Sequence, residues 1–162
     1  MVKRIVLLIS IFVLAACQST SNDLPKYEEF VGAGDLLPIT SIKSINGDEI
    51  DLQNSNKKKL VVLFATWCSD SNRLIRALNQ SEILTDENIE VVAIAREEDT
   101  DTVKAWRDKL QLKMPLAVDP DRSIYKRFAV GGIPRLIMVA NDNSIIKMNL
   151  AEGYNQLAKI QW

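Results

Sequence analysis

The chain has 162 residues, 47% apolar and 25% charged, which suits one globular domain with a real core. Its formal net charge of -1 shows no basic excess for nucleic acid and no acidic tail. It contains no histidine, which excludes histidine-dependent triads, the common zinc sites and imidazole acid–base catalysis.

In chain order, Lys3 and Arg4 precede the apolar run IVLLISIFVLAA, Ile5 to Ala16. That run is shorter than the roughly 20 residues a membrane span needs, and it ends in small residues as a secretory signal does. LAAC, Leu14 to Cys17, resembles the lipobox of bacterial lipoproteins. The resemblance implies cleavage before Cys17 and lipidation of its sulfur, so the mature chain would face an extracytoplasmic space. Gln18, in place of an aspartate, implies outer-membrane sorting in a cell that has an outer membrane. An ordinary signal peptide with an incidental cysteine is the alternative. With Cys17 used as an anchor, Cys68 is the one free thiol of the mature chain, in a compartment expected to be oxidising. Polar residues from Gln18 onward predict a flexible tether, placed over residues 17–34, before a domain over 35–162.

ITSIKSINGDEIDLQ places Asn46-Gly47 between two short alternating runs, a hairpin signal. KKLVVLFAT reads as a buried central strand. SDSNRLIRALNQ then puts Leu74, Ile75 and Leu78 on one helical face, with Asp70 and Ser71 suited to its first turn. IEVVAIAR is a second buried strand, and DTDTVKAWRDKL a helix with Val103, Trp106 and Leu110 at helical spacing. Asp119 to Val130 predicts a short helix. RLIMVA and SIIKMNL flank a tight NDN turn, so they pair antiparallel, and YNQLAKIQW predicts a closing helix. The alternating middle implies parallel strands joined by right-handed crossovers.

FATWC at a strand-to-helix junction, with AVDPDRSIYKRFAVGGIP and a strand after it, is similar to the thioredoxin fold, and most to the TlpA-like branch of exported thiol–disulfide oxidoreductases. The match runs from about Leu36 to the C-terminus. It implies an α/β domain with a central mixed sheet flanked by helices and an N-terminal β-hairpin, needing no cofactor or metal. It also implies Cys68 as attacking thiol, Ser71 at the resolving-cysteine position and Pro134 as a cis-proline facing Cys68. Ile133 would offer backbone groups to an extended substrate. Trp67, Ser69 and Asp70 would be the sulfur's neighbours, Trp67 as rim aromatic or platform. A sulfur at a helix N-terminus faces unpaired N–H groups and the positive end of the dipole, which favour thiolate.

Ser71 removes the internal second step of a dithiol cycle, although its hydroxyl could donate to the thiolate. Asp70 would oppose thiolate formation unless Arg73 offsets it. The two positions where the family carries a buried acid read Val62 and Leu74, and Arg76 stands near its helix-kinking proline. Arg73 and Arg135 are expected to be solvated, and Trp106 and Trp162 to be packing residues. Three functions fit: monothiol disulfide exchange on exported proteins with cysteines, a non-catalytic docking module of the envelope, and a thiol peroxidase. The last is disfavoured because Thr66 lies two residues before Cys68, not three. Oligomeric state is left open.

Overall fold

The computed structural model describes residues 27–54 and 56–162. The expected signal, Cys17 and the first part of the tether lie outside them.

Lys58–Phe64 (β3), Ile89–Arg96 (β4), Leu116–Asp119 (β5), Arg135–Val139 (β6) and Ile145–Leu150 (β7) form one sheet in the order β5-β4-β3-β6-β7. β3, β4 and β5 are mutually parallel, β6 pairs antiparallel with β3, and β7 pairs antiparallel with β6. β1 (Ser41–Lys43) and β2 (Glu49–Asp51) make a separate antiparallel hairpin, closed where the Gly47 N–H meets Ser44 O at 3.0 Å. Gly47 sits at φ +99°, a region that suits glycine.

Burial along β3 alternates between two cores. Val61 and Leu63 face one side with Ile137, Val139, Tyr125, Phe128 and the hairpin's Ile42. Leu60, Val62 and Phe64 face the other, against Leu74, Ile75 and Leu78 of α1 (Ser69–Asn79) and Val103 of α2 (Thr100–Leu110). Crossovers of one hand that step the same way across a sheet leave both helices on one face. The hairpin and residues 120–130 close the other.

Several elements differ from the sequence reading. β5 was not expected, because four residues are too few to show a period. The helices expected at Asp119–Val130 and at the C-terminus are short 3-10 turns, Tyr125–Arg127 and Gln156–Lys159. Asp119, buried, accepts from the N–H groups of Ile124 and Tyr125 at 3.0 and 2.8 Å, holding the first as a turn. Asn155 at φ +54° and the Gln156 side chain, drawn onto Asp70 O at 3.0 Å, interrupt the second.

The tether also ends earlier than residue 34. Phe30 N–H donates to Phe128 O at 2.8 Å, Val130 N–H donates to Glu28 O at 3.0 Å, and Glu29 bridges Ala129. Residues 27–30 are therefore part of the domain. Among the described residues no helix is long and apolar enough to cross a membrane.

Candidate active site

β3 ends at Phe64, and four residues later the chain enters α1. Cys68 is the N-cap of that helix, with no side-chain capping bond, so its sulfur stands at the helix mouth. Cys68 is a free thiol, half-buried, and its Sγ reaches Ile133 O at 3.8 Å. The Ile133-Pro134 peptide is cis, as expected. Ser69 and Asp70 open the helix, and Trp67 beside the sulfur is 64% exposed, at the rim rather than in the core. Cys68, Ile133 and Pro134 are thus brought together across two sheet elements.

Ser71 is fully buried, and its hydroxyl oxygen accepts from Ala65 N–H at 3.3 Å. Asp70 does pair with Arg73, which also donates to Gly153 O at 2.9 Å and lies 4.5 Å from the Tyr154 ring centroid.

The Arg73 hydrogen bond, with help from the Gly153 N–H, holds the Asp70 carboxyl below the usual carboxylate range. A carboxylate depressed in the folded state adds stability above its unfolded value of about 3.9 and loses it as pH falls through the folded value. Asp70→Asn should therefore flatten the acid limb of the stability profile below about pH 4, read from denaturant midpoints across that range.

Three positioning residues escaped the sequence reading. Glu98, buried just beyond β4, accepts from Thr66 N–H at 2.8 Å and also from the Thr66 hydroxyl. A carboxylate therefore stands on the turn before Cys68 although Val62 and Leu74 are apolar and buried. Asn72 donates to Thr66 O at 2.5 Å and Cys68 O at 3.0 Å. Trp106 donates to Asn72 Oδ1 at 3.1 Å and stacks on Phe64 with centroids 5.3 Å apart, so it orients the turn as well as packing. The charge run at the end of β4, at the same sheet end as Cys68, was the available signal for Glu98.

Arg135 corrects a further expectation. It is not solvated: its side chain is 1% exposed and pairs with Glu29 at 2.7 Å. It also donates to Gly131 O at 2.6 and 3.2 Å. A surface cavity of about 700 Å³ lined by Asn79, Leu84 and Met114 lies at the other end of the sheet, away from the thiol.

The sequence of residues 33–148 matches the profile of the AhpC/TSA family. The chain belongs to that family. Within reach of it is the thiol–disulfide oxidoreductase ResA of Bacillus thuringiensis (strain Al Hakam), 22% identical over 127 residues, covering 77% of this chain and 73% of that protein. The thioredoxin-like protein YneN of Bacillus subtilis is 28% identical over 98 residues, 58% of each chain. Among solved structures, a proposed protein disulfide isomerase from Bacteroides thetaiotaomicron superposes with a TM-score of 0.74 at 20% identity, covering 82% of this chain and 87% of its own. The fold is thioredoxin-like, as that superposition shows.

Proposed function

We propose that this family member performs monothiol thiol–disulfide exchange on exported proteins that carry cysteines. The observation that carries this is a half-exposed thiol at a helix N-cap, 3.8 Å from the carbonyl before a cis-proline, with a serine where an internal second thiol would stand. The similarity to ResA supports the same chemistry. Lipidation at Cys17, a periplasm-facing position and outer-membrane attachment belong to the same proposal, on the strength of LAAC and Gln18.

In the first step the Cys68 thiolate attacks one sulfur of a substrate disulfide. A Cys68–substrate bond forms, the substrate S–S bond breaks, and the second substrate sulfur leaves as thiolate. Release needs that thiolate, or an external thiol such as glutathione, to attack the mixed disulfide and return Cys68 as thiolate. The peroxidase alternative is weakened because the Thr66 hydroxyl is bound to Glu98 and the Arg135 guanidinium to Gly131 and Glu29.

The purified chain mixed with a disulfide-containing peptide should give a covalent adduct on Cys68, seen by intact mass. The adduct should persist until glutathione is added. No adduct with any peptide disulfide would leave the docking-module reading in its place.

A further inference from the structure

The loop before the cis-proline, Val130 to Gly132, is held by a segment about a hundred residues away in sequence. The Tyr27 ring packs against it: a Cβ on Gly131 would come within 3.0 Å of that ring, and one on Gly132 within 2.8 Å. Gly132 is at φ +85°, so glycine there serves both the backbone and the close approach. The backbones of Glu28 and Phe30 bond to Val130 and Phe128. Beneath, the Arg135 guanidinium holds Gly131 O and takes its countercharge from Glu29 at 2.7 Å. The Tyr125 hydroxyl donates to Gly132 O at 2.5 Å. The loop is thus clamped from above by residues 27–30 and from below by Arg135 and Tyr125.

We infer, on the exchange reading above, that residues 27–30 are a strap that sets the cis-proline loop for peptide substrates, with Tyr27 and Glu29 as positioning residues. An extended peptide whose disulfide reaches Cys68 must meet Ile133 and Pro134 with its backbone, so it reads the loop's orientation. A small disulfide needs only an open sulfur. Loosening the strap therefore costs the first and spares the second.

The test measures adduct formation on Cys68 in the full chain with two probes, a peptide disulfide and a small symmetrical aliphatic disulfide. Tyr27→Ala and Glu29→Gln should slow the peptide probe about tenfold and leave the small probe within about twofold. Glu29→Asp should recover most of the loss. Amide hydrogen exchange at residues 130, 131 and 133 should quicken in both single variants. Equal slowing of both probes, or unchanged peptide rates, would overturn the strap. If the unaltered chain reacts with neither probe, the exchange reading falls and the strap's role toward peptide disulfides falls with it; if the unaltered chain reacts but loop hydrogen exchange is unchanged in the variants, the strap alone is overturned.

Discussion

Ser71→Cys should collapse the lifetime of the mixed disulfide, while Cys68→Ser should prevent its formation altogether. Positions 68 and 71 are three apart at the start of α1, so their side chains are neighbours. A thiol introduced at 71 would attack the Cys68 sulfur, expel the substrate as thiolate and leave an intrachain disulfide. That replaces a bimolecular release with an internal one, and the standing adduct should fall at least about tenfold in the absence of added thiol. Sulfur is a weaker acceptor than the hydroxyl that now receives Ala65 N–H, so the variant should also lose about 1 kcal/mol of stability. Intact-mass time courses read the adduct directly. An adduct equally long-lived with either residue at 71 would show that the serine does not set the release step.

Arg135→Ala should be among the most damaging single changes in the domain. The side chain is fully buried, and removing it opens a large cavity and leaves Gly131 O without the donor it has at 2.6 Å. Truncation of a large buried side chain and loss of a buried polar partner together put the cost at about 3–5 kcal/mol. For a domain of this size that lowers the melting temperature by roughly 10 °C. Salt should change this little, because most of the loss comes from the cavity and the unpartnered carbonyl rather than from the ion pair. A calorimetric shift of only a degree or two would mean that the loop relaxes to fill the space. Glu29 behaves differently when its partner goes: its side chain is 35% exposed, so water can take it.

What could be read from the sequence was local. Asn46-Gly47, the continuous apolar run of β3 and the strand-to-helix junction at Cys68 all lie within a few residues of the structure they specify. The cis-proline came with the family resemblance, carried by GGIP. The residues that fasten the site were hidden because their partners are remote. Glu98 meets Thr66 across 32 positions, Trp106 meets Asn72 across 34, and Arg135 meets Glu29 across 106. Neither composition nor period connects such pairs. A charged residue in a run, or an arginine after a proline, looks the same whether water or a buried carbonyl receives it. The short 3-10 turns failed for the opposite reason: helical spacing was present, but the Asp119 carboxylate captured the Tyr125 N–H and the Gln156 side chain bonded Ala151 O, both within a few residues.

The early end of the tether has a practical consequence for anyone shortening this protein. Composition suggests starting a soluble fragment at residue 35, where the polar lead-in gives way to the hairpin. Such a fragment would begin after Tyr27, Glu29 and Phe30. It would carry a fully buried guanidinium stripped of its counter-ion, an uncovered pair of glycines beside the reactive centre, and an open backbone edge at Phe128 and Val130. Poor expression or weak activity of that fragment would report on the cut rather than on the protein, so a truncated version should begin no later than Tyr27.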